Sequence, residues 1–214
     1  MILGLLLLWL AGPRVVSEYY LAVGDSAYDL TGLGAPMARR SLERARRSRE
    51  AALAVLETGE AAKQLGHILL RDALERPWRD PERSALLETA VERLRQGLAR
   101  DPADLFAWYH LALAEWWRGR LRDAARALAM SYRTGPHHPP IASDRGRLAL
   151  ALWPRLAPPA RERAVREICL ALPRNREVFE RFAERNARIE ILEEIANSPT
   201  CRSPAATKAT AWPR

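Results

Sequence analysis

The sequence predicts an all-α protein made of antiparallel helical hairpins, and three observations carry that prediction. Between Leu105 and His138 two apolar stripes at three- and four-residue steps are hinged on Gly119. Leu86, Leu87, Ala90, Val91, Leu94 and Leu98 make a further unbroken stripe of helical period. Breakers recur at helix-length intervals: Thr58-Gly59, Pro77, Asp80-Pro81, Asp101-Pro102, Gly135-Pro136 and Pro158-Pro159.

A chain of 214 residues with 48 % apolar and 28 % charged residues has a globular balance and enough length for one real core. The net charge of +8 comes almost wholly from arginine, with lysine only at positions 63 and 208. Arg and Glu alternate at helical spacing, as in Glu82, Arg83, Glu88, Glu92, Arg93 and Arg95, the pattern of solvated helix faces. With no interleaved aromatic platform or recognised binding motif, nucleic acid is not an expected partner.

In chain order, residues 1–20 hold an apolar run, Ile2 to Gly12, closed by Pro13 and Arg14. Extended through Val15 and Val16, with Tyr19 and Tyr20 at the interface, it reads as an uncleaved membrane anchor. A cleaved signal peptide is the rival reading, weakened by the missing basic n-region and cleavage site. Residues 21–35 form a linker that ends in the Gly- and Pro-containing stretch Thr31 to Pro36. A helical domain follows over 36–197. Its first helix, from Pro36 to about Leu56, carries Arg39, Arg40, Arg44, Arg46, Arg47 and Arg49 opposite Leu42, Ala45 and Ala52. The next spans Glu60 to Glu75, with Ala61, Leu65, Ile68, Leu69 and Asp72 facing the core. Asp80 as N-cap and Pro81 in the first turn open a helix that runs to Asp101.

The stretch from Leu105 to His138 comes next. Trp108, Leu111, Ala112 and Glu115 share a face of its first helix; Leu121, Ala124, Ala125, Leu128 and Ser131 make the stripe of its second. Ile141 to Leu152 begins a further hairpin, Pro158 and Pro159 open its second helix with Val165, Ile168 and Leu172 inward, and shorter helices follow at Arg176 to Glu184 and Ala187 to Ala196. From Ser198 the composition turns to Ser, Pro, Thr and Ala without periodicity, so 198–214 is expected to be a disordered tail.

Trp108, Leu111, Ala112, Gly119, Ala124, Leu128, Ser131 and Pro136 fall in step with the tetratricopeptide repeat of about 34 residues, which this stretch resembles. The departure is Glu115, where that motif has an aromatic residue and Trp116 stands beside it. Ala90, Leu94 and Pro102 sit one repeat length before Ala124, Leu128 and Pro136, so the preceding hairpin resembles a degenerate copy with a longer hinge, Pro77 to Asp80. The resemblance implies hairpins stacked as a short solenoid, which the apolar run read above would precede as an N-terminal anchor helix.

Motifs of catalysis do not appear. There is no Gly-rich phosphate loop, H-E-x-x-H or Cys-x-x-Cys, so neither an enzyme, a cofactor nor a metal is expected. His67, His110, His137 and His138 are scattered or adjacent, which suits no chelating geometry on a regular helix. Cys169 and Cys201 either pair in an oxidising compartment or leave Cys169 as a buried thiol beside Ile168; the sequence leaves both open.

Leu150 to Leu156, Pro158 to Arg166 and the repeat itself resemble the VpsP-like tetratricopeptide proteins of bacterial exopolysaccharide biosynthesis clusters. That resemblance implies an inner-membrane protein with a soluble helical domain, accessory to polysaccharide assembly or export. With the anchor read above, the expected placement is single-pass with the domain periplasmic, since the Arg39 to Arg49 run begins too far from the anchor to hold it in the cytoplasm. The expected function is a non-catalytic scaffold for another protein, with Tyr109, Trp116 and Trp117 as partner-binding residues and polysaccharide-assembly components among the partners. The competing expectation is an anionic glycan or lipid headgroup on the Arg-rich helix, through Arg44, Arg46 and Arg47.

Overall fold

A computed structural model describes residues 2–29, 38–136 and 138–202, excepting the side chains of 2–8, 10, 27 and 29. The Thr31 to Pro36 break, His137 and residues 203–214 of the expected tail lie outside the described residues; the start of that tail is corrected, since Pro199–Arg202 is helical and Cys201 is bonded to Cys169. Within them the chain is all-helical: α1 (Ile2–Asp29), α2 (Arg39–Val55), α3 (Gly59–Glu75), α4 (Pro81–Arg100), α5 (Leu105–Trp117), α6 (Leu121–Thr134), α7 (Pro139–Ala151), a 3-10 turn (Trp153–Arg155), α8 (Pro158–Arg185), α9 (Ile189–Ala196) and α10 (Pro199–Arg202). Helices adjacent in sequence pack as pairs. The chain forms two compact units, Met1–Arg118 and Gly119–Arg214. The division falls inside the Leu105 to His138 stretch, placing α5 in the first unit and α6 in the second.

In the first unit α3 is central. Ten of its residues are buried, from Ala61 through Ala73 and on every face, because α2, α4 and α5 surround it. Its seam with α4 is built on absent side chains. A Cβ on Gly66 would lie 2.6 Å from Leu94 Cγ and 3.0 Å from the Ala90 carbonyl oxygen, and one on Gly97 would lie 2.4 Å from Lys63 Cγ. The helix starts follow capping chemistry: the Thr58 hydroxyl accepts from the Ala61 amide, Asp80 from Glu82, and Asp104 from Phe106 and Ala107.

The anchor expected at Ile2 to Val16 is corrected here. Among the described residues no helix is long and apolar enough to cross a membrane, and the single-pass inner-membrane placement falls with it. The physical reason lies in the residues beyond the apolar run. α1 continues through Pro13, Arg14 and Glu18 to Asp29, across most of the expected linker, and packs along α2. Ser17, Leu21 and Gly24 are buried there at helical spacing; the Ser17 hydroxyl donates to the Ala52 carbonyl, and a Cβ on Gly24 would collide with Ser48 and Arg49.

Arg49, which the sequence places in a surface charge run, is fully buried. It donates to Asp25 (2.7 Å), Ser48 Oγ (2.8 Å), Gln64 (2.9 Å) and the Leu21 carbonyl (3.3 Å), and its guanidinium lies 4.6 Å from the Tyr28 ring centroid. One side chain thus ties α1, α2 and α3.

The second unit closes on Leu150, Ile168, Phe179, Ala183, Leu192 and Ile195, contributed by α7, α8 and α9. Gly146 lets α7 approach, since a Cβ there would meet Ile168 and Phe179 at 3.0 Å. α8 is continuous where the sequence suggests two helices, but it is kinked: Pro173 lacks the N–H a helix needs, and Asn175 leaves helical geometry at φ −130°. Cys169 and Cys201 form a disulfide, Cα–Cα 4.8 Å, that pins the helical turn α10 to α8. Arg145 is fully buried, its Nε donating to Glu167 at 3.0 Å and its Nη2 completing a bidentate pair; Nη1 donates to the Ser131 and Gly135 carbonyls. Burial pushes the Glu167 carboxyl up to about 7, against the pull of Arg145.

Two substitutions test these seams. Gly66→Leu is expected to lower unfolding free energy by roughly 1 to 3 kcal/mol through overpacking against Leu94 and the Ala90 backbone. Glu167→Leu leaves a buried guanidinium without its counter-charge and is expected to cost roughly 3 to 5 kcal/mol. Urea denaturation followed by circular dichroism measures both.

Candidate interaction site

The repeat residues divide between the units. Leu111 and Ala112 are buried on α5, Ala124, Leu128 and Ser131 on α6; Gly119 has the positive φ expected of the hinge, +74°. Pro136 is exposed. Trp108, expected to anchor the core, is only half-buried, with its indole N–H donating to the Pro102 carbonyl at 2.8 Å. Glu115, the departure from the repeat pattern, is wholly buried and neutralised by Arg95 at 2.6 Å and Arg118 at 3.1 Å.

Of the partner-binding candidates, Trp116 and Trp117 stand edge to face with centroids 5.0 Å apart, and Trp117 is 38 % exposed. Tyr109 is half-buried and tilts against His110. The structure adds two residues that the sequence does not single out. Trp78, 76 % exposed, lies in the hinge between α3 and α4, and Arg83 lies in the first turn of α4. The Arg83 guanidinium is 4.8 Å from the Trp117 centroid and 5.8 Å from that of Trp78. Its Nη1 donates to the Arg76 carbonyl at 3.0 Å. The long Pro77 to Asp80 hinge is the available signal, because a hinge exceeding the repeat pattern has room to present a tryptophan.

The Arg-rich helix is less uniform than its sequence. Arg44 and Arg47 are exposed, while Arg46 is half-buried and paired with Glu50 at 2.7 Å.

Beneath the surface of the same unit lies a polar stack. His67 and His110 are parallel, 8° apart in plane with centroids 3.9 Å apart, and the Tyr28 hydroxyl lies 3.4 Å from His67 Nδ1. Burial, His110 and Arg71 hold the His67 imidazole well below its ordinary pKa, and burial with Arg71 lowers His110 to about 4. Lys63, also buried, reaches Asp101 and Asp104 at 2.7 Å and Glu60 at 3.1 Å. Burial works to lower its pKa, but the bonds to Asp101 and Asp104 prevail and raise it. Among the described residues no group of three or more His, Cys, Asp or Glu is placed to hold a metal ion.

The histidine stack sets a pH dependence. The unfolded chain binds protons at His67 and His110 from about pH 6.5 downward, whereas folded His110 does so only near 4. In that window the unfolded state holds more protons at these two sites, so their contribution to stability falls as pH drops from 6.5 towards 4, outweighing the opposite contribution of the single Glu167 carboxyl, raised to about 7. Unfolding midpoints at pH 7.5 and pH 5 are expected to differ in that sense, and the difference to shrink in His110→Leu.

No protein-family model, curated protein or solved structure matches this chain.

Proposed function

We propose that this chain is a non-catalytic helical scaffold that binds another protein, and that its docking surface is the aromatic cluster of Trp78, Trp116 and Trp117 around Arg83. The observation that carries the reading is the exposure of Trp78 and Trp117 together on a unit whose apolar core is built mainly of Ala and Leu. Exposed tryptophan is enriched where proteins dock, because it offers a large apolar face with few rotamers to freeze. The finer architecture we propose is that of tetratricopeptide-like hairpins, on the spacing of Trp108, Leu111, Ala112, Gly119, Ala124, Leu128, Ser131 and Pro136. An accessory role in exopolysaccharide biosynthesis or export, with polysaccharide-assembly components as partners, rests on the resemblance carried by Leu150 to Leu156 and Pro158 to Arg166.

One observation favours a second reading. Arg40, Arg44 and Arg47 are exposed along one side of α2, and no carboxylate among the described residues pairs with them. Such a row suits an anionic glycan or lipid headgroup, bound in a strongly salt-dependent way.

A pull-down with the purified chain in moderate salt separates the two. The scaffold reading expects a defined protein partner whose recovery falls at least about tenfold, or 1.4 kcal/mol, on Trp116→Ala and Trp117→Ala. Recovery is expected to survive Arg40→Ala, Arg44→Ala and Arg47→Ala. The reverse pattern discards the aromatic surface in favour of the charged ligand.

A further inference from the structure

Four Arg or Lys side chains are buried among the described residues: Arg49, Lys63, Arg83 and Arg145. A buried charge is tolerated where a counter-charge and hydrogen bonds replace water. Three of the four obey this. Arg49 meets Asp25 at 2.7 Å, Lys63 meets Asp101 and Asp104 at 2.7 Å, and Arg145 holds Glu167 with two bonds. Arg83 is the exception. It is 8 % exposed, yet no carboxylate among the described residues pairs with it, and its hydrogen bond there runs from Nη1 to the Arg76 carbonyl. The acidic residues nearby in sequence are engaged elsewhere: Asp72, Asp80 and Glu82 all pair with Arg76, and Glu88 with Arg118.

The surroundings of Arg83 suit an incoming anion. Trp78 and Trp117 lie beside the guanidinium and limit its hydration while leaving its positive charge uncancelled. Nε and Nη2 donate to no acceptor among the described residues, and these adjacent donors form the fork that receives the two oxygens of one carboxylate. Arg79, one residue beyond Trp78, is exposed and adds to the positive potential. We propose that Arg83 is the specificity residue of this docking surface: it binds the carboxylate of a Glu or Asp side chain in an acidic peptide segment, while an apolar neighbour in that segment packs on the open face of Trp78. The proposal rests on the scaffold reading and names the partner chemistry that the scaffold selects. Once bound, the peptide completes for Arg83 the neutralisation that Arg49, Lys63 and Arg145 find inside the fold.

The test uses the full chain, immobilised, and two mixtures of blocked hexapeptides. In one a central position is fixed as Glu, in the other as Gln, and the remaining positions are randomised equally. A charge-assisted bidentate contact is expected to retain the Glu mixture about tenfold or more over the Gln mixture in low salt. That preference is expected to vanish in Arg83→Lys, which keeps the charge but loses the fork, and to fall in Trp78→Ala. Circular dichroism establishes that each variant is folded. Because Trp78 is 76 % exposed, its variant decides the matter even if Arg83→Lys does not fold. Equal retention of the two mixtures overturns the proposal, as does a Glu preference that survives Trp78→Ala. If the mixtures are retained equally while the pull-down still depends on Trp117, the scaffold stands and only its acidic specificity is lost. If the pull-down also fails, the scaffold reading goes with it.

Discussion

The constraint on which both units depend is the neutralisation of positive charge buried inside their cores. Alanine and glycine line several of the seams, as at Gly66, Gly97 and Gly146, so helices approach closely there, while Leu, Ile and Phe fill the rest of the interior. Arginine and lysine fill part of that space with their aliphatic stems, and each head group then requires oxygen partners. The solution is the same in each unit. In the first, Arg49 collects bonds from α1, α2 and α3; in the second, Arg145 bridges Ser131 and Gly135 to Glu167 on α8. These side chains fix the relative position of three elements at once, which an aliphatic residue of similar volume does not.

That device also explains which parts of the fold are legible in the sequence. Helix boundaries are, because they are set by local chemistry: Thr58, Asp80 with Pro81, and Pro158 act within a few residues of the turn they define. The stripes on α4 and α6 are legible for the same reason, since Leu86, Leu87, Ala90, Val91, Leu94 and Leu98, and Ala124, Ala125, Leu128 and Ser131, are buried as their spacing requires, with Leu121 at the helix start the exposed exception. Arg49 is not. In the sequence it is one arginine in a run of six, and nothing local distinguishes it from Arg44 or Arg47; its burial depends on Asp25 and Gln64, distant along the chain. The disulfide is undecidable on similar grounds, because a cysteine beside Ile168 fits a buried thiol as well as a bridge.

The N-terminal helix shows a different failure. Its apolar run reads as a separable anchor, although Ser17, Leu21 and Gly24 repeat at steps of four and three just beyond it. Small and polar residues dilute such a stripe, so a reading that counts large apolar side chains passes over it. Its meaning appears only against α2, where Gly24 makes room for Ser48 and Arg49 and the Ser17 hydroxyl satisfies the Ala52 carbonyl. Trp108 fails in the opposite sense. Its position in the repeat pattern suggests a core anchor, but the indole N–H needs an acceptor, and the Pro102 carbonyl in the preceding loop holds the ring half-exposed.

The candidate surface is half legible, and the missing half is informative. Trp116 and Trp117 stand out as tryptophans beside a core stripe; Trp78 and Arg83 do not, because one lies in a hinge and the other in a helix rich in Arg and Glu. Their association with Trp117 requires α4 and α5 to pack, so it belongs to the tertiary structure. Arg83 then differs from its neighbours in energy rather than in pattern. Arg76 has three carboxylates, whereas Arg83 is buried against indole with none among the described residues. A charged group left in that condition gains from a complex, because a partner's carboxylate meets a fork already shielded on its ring side by indole.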